Sequence, residues 1–218
     1  MQIAIGLYEG FTALDAIGPF AVFTNMPDTS VVVCADRTGR LTDESALLHL
    51  DIEHTFDEVR APDVVLVPGG LITRRVARDG GPIVDWLRRV HPATTYTTSV
   101  CTGALLLGAA GVLDGCRATT HWMVLDQLRA YGAVAADERV VFDGKVVTAA
   151  GVSAGIDLAL TLVTELQGAE TAQAIQLGIE YDPQPPHDSG SPTSASPAVR
   201  EFVAQIMRDA EARVHATP

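Results

Sequence analysis

A chain of 218 residues is long enough to bury a sizeable core and short enough to form one α/β unit. With 47% hydrophobic and 19% charged residues it sits near the globular average, which excludes a wholly disordered or fibrous chain. A formal net charge of -12 repels phosphate backbones and anionic membrane surfaces, so neither nucleic acid nor a membrane is an expected partner.

The opening MQIAIGLYEG carries no basic region ahead of a signal-type apolar run, and no later window supplies the roughly eighteen uninterrupted apolar residues of a membrane span. A cytoplasmic protein is expected. Apolar, β-branched runs at Gln2–Tyr8, Ser30–Cys34, Asp63–Val67 and Thr94–Val100 read as strands. They alternate with helical stretches at Leu14–Asn25, Pro82–Val90 and Thr102–Ala110, which is a βαβ order. Runs such as DVVLV are apolar on both faces, as parallel strands between helix layers must be. RVVF and KVVTAA flank Asp143-Gly144, which suits a two-residue type I′ turn and predicts a small antiparallel hairpin. Two helices follow, near Ala154–Leu166 and Ala169–Tyr181. The segment DPQPPHDSGSPTSASP, residues 182–197, is too proline-rich for helix or central strand. Beyond it an amphipathic helix, about Ala198–Val214, needs a partner surface for Val199, Phe202, Val203, Ile206 and Met207. The expected division is a domain over residues 1–197 and a C-terminal helix within 198–218, packed on that domain or on a second subunit.

The stretch TTYTTSVCTGALLLGAAG raises the chemical question, because a β-run stops at Cys101 and a helix begins. At the carboxyl end of a central parallel strand, Cys101 lies where open α/β sheets place their ligands. The helix start favours thiolate over thiol, and the arrangement resembles a nucleophile elbow with cysteine as the reactive atom. The plain alternative is that Cys101 is a small buried hydrophobe, the usual fate of a free cysteine. For Cys34 and Cys116 that plain reading is preferred, since neither has an acid, a base or a glycine turn beside it. The three cysteines match no zinc spacing, and no metal site is expected.

Partners for a thiolate are few. Asp15 stands among Leu14, Ala16, Ile17 and Phe20, where desolvation would raise its pKa and fit it to hold and deliver a proton. It could equally be a first-turn acid interacting with the helix dipole. The glycines of VLVPGGL are ordinary turn residues or backbone donors to a bound intermediate. His121, in ATTHW, is either a general base or a hydrogen-bonded structural group.

Taken together, LDAIGP, PGG, SVCTGALLLGAAG, RATTHW, the Asp-Gly hairpin, GVSAGIDLAL and QLGIEYDPQPPHDSGSP resemble the DJ-1/PfpI superfamily, specifically its isocyanide hydratase branch, in order over residues 1 to about 197. The resemblance implies a flavodoxin-like three-layer α/β sandwich with a mostly parallel central sheet, helices on both faces and a small antiparallel hairpin. It also implies a homodimer and a cofactor-independent carbon–oxygen lyase acting on an isocyanide and water. By the same resemblance Cys101 is the nucleophile, Asp15 its acidic partner and Thr102 a supporting residue, with Gly70 as a backbone donor; His121 is placed with the substrate-binding residues. Superfamily members resembling peptidases carry histidine after the cysteine, where this chain has Thr102. Stress and glyoxalase members usually place glutamate at the position of Asp15. Similar domains are also fused to helix-turn-helix regulators. A carbonyl-directed glyoxalase or hydrolase, and a ligand-binding or thiol redox-sensing protein, remain the alternatives.

Overall fold

The structure is a computed structural model describing residues 1–216, with side chains through 213. Its elements are, in chain order, β1 (Gln2–Gly6), α1 (Ala13–Phe23), β2 (Ser30–Ala35), β3 (Gly39–Thr42), β4 (His49–Ile52), β5 (His54–Thr55), β6 (Val64–Val67), α2 (Thr73–Asp79) and α3 (Pro82–Val90). There follow β7 (Tyr96–Val100), α4 (Gly103–Ala109), β8 (Arg117–Ala118), a 3₁₀ helix at Trp122–Tyr131, β9 (Val134–Ala135), β10 (Val140–Asp143), β11 (Val146–Ala149), α5 (Ala154–Gln167), α6 (Ala169–Gly178) and α7 (Pro197–Ala216).

Seven strands form one sheet in the order β10-β11-β7-β6-β1-β2-β5, all pairs parallel except β10 with β11. Helix α1 packs with α5 over one face and α3 with α4 over the other, giving the three-layer sandwich. Burial on both faces explains the unbroken apolar runs: Val64 to Val67 are fully buried, and so are Ile3 and Ala4 on the neighbouring strand. Each such Val, Ile or Leu contributes about 1.5–3 kcal/mol by leaving water. Under α3, Trp86 donates its indole N–H to the Val59 carbonyl at 2.8 Å and stacks on Phe56, ring centroids 4.8 Å apart. Glycine is required at Gly6 because a Cβ there would run into the Trp86 ring.

Chain order reverses between β1 and β6: from β1 the chain moves outward to β2, then crosses to β6 on the other side. The crevice at the carboxyl ends of these strands is where open α/β sheets bind ligands. Three loops converge there, after β1, β6 and β7.

Two sequence expectations need correction. The hairpin pairs Asp143 with Val146, so its loop residues are Gly144 and Lys145, one position later than expected. Only Gly144 has positive φ, +58°, which fits a type II′ turn with glycine first in place of type I′. The first strand stops at Gly6, because the backbone of Leu7 to Gly10 leaves the ladder to reach Cys34 and Thr42. The antiparallel pair β3–β4 lies in the stretch between β2 and β5, where no element was expected. No helix among the described residues is long and apolar enough to cross a membrane.

Candidate active site

Cys101 follows β7 and sits at φ +56°, a left-handed conformation that a non-glycine side chain adopts at a cost of about 1–3 kcal/mol. The surroundings hold it there. Its N–H donates to the carbonyls of Ala149 (3.1 Å) and Ala150 (2.9 Å), and its own carbonyl accepts the Thr120 hydroxyl at 2.7 Å. The turn throws the thiol out of the sheet and launches α4. Gly103 is obligatory beneath it, since a Cβ would lie 2.6 Å from the Val67 carbonyl and 2.8 Å from that of Pro68.

Asp15 comes from the first turn of α1 and is fully buried. The Gly69 N–H donates to its Oδ2 at 2.8 Å. Its other oxygen, Oδ1, is buried without a partner at hydrogen-bonding distance; the Cys101 thiol is near enough to ease ionisation without closing a full bond onto it. Burial dominates and pushes the carboxyl up to about 8, against the help of Gly69 and with added repulsion from Glu44. The desolvation expected from the apolar neighbours of Asp15 is therefore the main influence on it.

The thiol does not follow its expectation. Burial first, and the charge of Asp15 after it, drive Cys101 well above the ordinary thiol range; the N–H groups of Thr102 and Val152, aimed at the sulfur, pull the other way without winning. Desolvation of a residue only 6% exposed outweighs the helix-start contribution. With both partners raised, Asp15 and Cys101 form a pair that holds its protons at neutral pH.

Thr102 ties the loops together. Its hydroxyl accepts the Gly70 N–H at 3.0 Å and lies 3.1 Å from the Thr73 hydroxyl. Gly70 thus donates to Thr102, and the donor that reaches Asp15 is its neighbour Gly69. A Cβ on Gly69 would lie 2.7 Å from the Thr102 nitrogen and 3.1 Å from Asp15 Oδ2, so the pair closes only over a glycine. Below them the buried Tyr8 hydroxyl contacts Thr73 Oγ1 at 2.7 Å and donates to the Pro68 carbonyl at 3.1 Å.

His121 stands apart from this pair. Its Nδ1 accepts the Met123 N–H at 3.4 Å, capping the 3₁₀ helix, while its ring abuts Gly151. It does face a cavity of about 500 Å³, bounded also by Leu14, Thr120, Trp122, Val152 and, from the proline-rich segment, Gly190–Thr193. Two residues of its lining also reach Cys101, Thr120 at the Cys101 carbonyl and Val152 through its N–H at the sulfur, while Cys101 and Asp15 lie behind that wall. Sequence reasoning had no signal for Tyr8, Thr73 or the Val152 N–H, which act through backbone geometry and buried hydroxyls. Among the described residues no three His, Cys, Asp or Glu side chains gather as metal ligands would.

Residues 1–165 match the family model of the DJ-1/PfpI family. The chain is 43% identical to the isonitrile hydratase of Pseudomonas putida over 199 residues, covering 91% of this chain and 86% of that protein. A THiJ/PfpI family protein from Pseudomonas syringae superposes with a TM-score of 0.89 at 36% identity, covering 97% of this chain and 89% of its own. The HTH-type transcriptional regulator CdhR of Pseudomonas aeruginosa is 28% identical over 57% of this chain but only 37% of its own length. By the span of the family match and the depth of these alignments, this chain belongs to the DJ-1/PfpI family.

Proposed function

We propose that this protein hydrates an isocyanide, R–N≡C, to the N-substituted formamide, with Cys101 as nucleophile and Asp15 as proton carrier. The observation that carries the reading is a fully buried carboxyl, held near pKa 8, beside a thiol at a strand-to-helix elbow. A carboxyl of that kind keeps a proton at neutral pH and can still give it up. The 43% identity to an isonitrile hydratase supports the choice of substrate.

The terminal carbon of an isocyanide accepts a nucleophile when a proton reaches it. Cys101 Sγ forms the S–C bond, Asp15 delivers its proton to the same carbon, and the thiol proton replaces it on Asp15. The product is a thioimidate, R–N=CH–S. Water then attacks this carbon; Asp15 passes a proton to the nitrogen and takes one from the water, leaving R–NH–CH(OH)–S. Collapse breaks the C–S bond, the hydroxyl proton returns to sulfur through Asp15, and R–NH–CHO departs. Atoms and protons balance with water alone, so the reading, that of a carbon–oxygen lyase, calls for no cofactor. The N–H groups of Thr102 and Val152 steady the sulfur as it leaves. Thr102 and Gly70 hold the loops, and His121 forms part of the wall for the R group. The 500 Å³ cavity is roomy enough for an R group that is the only large part of the substrate.

The low exposure and upward shift of Cys101 weigh against a sensing thiol, which needs an accessible thiolate. In the same reading residues 1–197 carry the site and α7 is an appended helix, joined to α2 by an Arg74–Glu211 ion pair of 2.7 Å. The protein assembles as a homodimer in the cytoplasm, and the exposed apolar ridge of Leu14, Ile17 and Phe20 on α1 supports an interface there. The test is turnover of a simple aryl isocyanide by wild type and by Cys101→Ala. Formamide from the first and none from the second is expected; none from a folded, fully reduced wild type overturns the reading.

A further inference from the structure

Glu44 lies in the turn between β3 and β4, far in sequence from every residue assigned above. The turn is rigid: Asp43 accepts the N–H groups of Leu47 (3.2 Å) and Leu48 (3.1 Å) and the Ser45 hydroxyl. It is also docked onto the loop that leads into α1. Gly10 N–H donates to the Thr42 carbonyl at 2.8 Å, Phe11 pairs with Asp43 as an isolated bridge, and Glu44 N–H donates to the Phe11 carbonyl at 2.9 Å.

The Glu44 side chain continues the same path inward. Its Oε2 accepts the Leu71 N–H at 3.0 Å, and the Thr12 hydroxyl lies near enough to favour the charged carboxylate. Thr12 occupies the N-cap position of α1 but makes no side-chain cap to its own helix, and its hydroxyl acts on Glu44 instead. Leu71 follows the Gly69-Gly70 pair, and the Thr12 N–H donates to the Gly69 carbonyl at 2.8 Å. One carboxylate thus joins the loop that carries Asp15 to the loop whose N–H holds Asp15. Among the described residues Glu44 makes no ion pair. A half-buried carboxylate with no cation is a cost that ordinary surface turns avoid.

We propose that Glu44 is a positioning residue for the Asp15–Cys101 pair, its carboxylate tying together the two loops that seat Asp15 and setting a fixed like charge beside it. The charged and titratable neighbours agree in sign. Asp43 on its own turn repels Glu44, and Glu44 repels Asp15 from α1, Tyr8 from the β1 loop and Cys101 from the elbow; no cation enters the set. Burial raises Glu44 too, but the Leu71 N–H and the nearby Thr12 hydroxyl favour its charged form and it is less buried than Asp15; once ionised, its charge opposes ionisation of Asp15. The proton carrier stays loaded at a pH where a lone carboxyl would have lost its proton. The inference rests on Asp15 being that carrier.

The test titrates Asp15 directly by carboxyl-carbon NMR, its signal assigned by disappearance in Asp15→Asn. Glu44→Gln keeps an oxygen for the Leu71 N–H and removes the charge. The expected result is an Asp15 midpoint lower than in wild type by about half a unit, the size of a like-charge interaction across several ångström of partly screened protein. Glu44→Ala opens the clamp as well; it shifts Asp15 the same way and also lowers the melting temperature, and either folded variant decides the point. An unchanged Asp15 midpoint overturns the proposal. Since no isocyanide is involved, failure of the hydratase reading leaves this result intact, and the reverse holds.

Discussion

Cys34 and Cys101 offer a controlled comparison, one thiol at the carboxyl end of β2 and one at the end of β7. Both are buried, and burial raises both. For Cys34 burial is the whole story: it reaches about 12, and among the described residues its sulfur hydrogen-bonds only the Ile5 carbonyl, at 3.9 Å. The β2 ladder runs on past it, pairing Cys34 with His54, so the side chain stays inside the sheet. At Cys101 the backbone turns left-handed, two N–H groups face the sulfur, and a carboxyl lies beside it. A strand end and burial make a thiol inert; the corner and its acid make it usable. The largest expected effect follows. Cys101→Ala lowers aryl isocyanide turnover by about 10⁴-fold or more, as loss of a nucleophile does, while Cys34→Ala stays within about twofold of wild type. Equal losses in the two variants, measured by formamide formation on folded protein, would erase the distinction.

Replacing the acid separates the pair from the corner. Asp15→Asn leaves the elbow in place and removes the proton carrier, so kcat/KM falls by about 10²–10⁴-fold. In wild type the rate declines on the alkaline side with an apparent pKa near 8, because the reaction needs Asp15 protonated. A flat profile through that range would assign the proton elsewhere.

The same carboxyl has a stability signature between about pH 4 and 8, a window in which Cys34, raised to about 12, does not titrate. Between the ordinary aspartate value near 4 and about 8, Asp15 is ionised in the unfolded chain and protonated in the fold. The unfolded state therefore binds fewer protons in this window, and stability falls as pH rises through it, by at most about 1.4 kcal/mol per unit. Asp15→Asn removes that slope. Denaturant melts at pH 5 and 7.5 are expected to show the variant gaining on wild type by a few kcal/mol at the higher pH, and no relative gain would mean that Asp15 is not desolvated.

The contrast also marks what sequence can carry. A two-faced apolar run made β6 legible because burial on both sides leaves no polar position there, β7 was legible as a β-branched run whose Thr97, Thr98 and Ser99 are nonetheless buried, and Cys101 stood out because it ends that run. Asp15 stood out for the opposite reason, one charge among apolar side chains. The β3–β4 pair was illegible: of its eight residues only Leu41 and Ile52 are buried, so no alternation registers. Glu44 was hidden with it, since its meaning lies in reaching Thr12 and Leu71 across more than twenty-five residues of sequence. Backbone donors such as Gly69 and Val152 have no side-chain signature. The upward shift of Cys101 depends on how deeply the corner is buried, which the elbow pattern does not encode.

The smallest effect is expected from Tyr8→Phe, and it asks whether the tightness of the corner matters apart from its chemistry. The Tyr8 hydroxyl touches neither Asp15 nor Cys101. It bonds Thr73 and the Pro68 carbonyl, and Thr73 in turn holds the Gly70 carbonyl at 2.7 Å and meets Thr102. Phenylalanine preserves the ring and leaves two buried partners short of one bond each, a loss of about 1–3 kcal/mol by chemical denaturation. Every group around the sulfur keeps an anchor of its own: Gly69 for Asp15, Ala149 and Ala150 for the Cys101 backbone. Turnover should accordingly drop less than about tenfold. A loss comparable to that of Asp15→Asn, without a matching loss of stability, would place the hydroxyl chain from Tyr8 to Thr102 within the proton path and not beneath it.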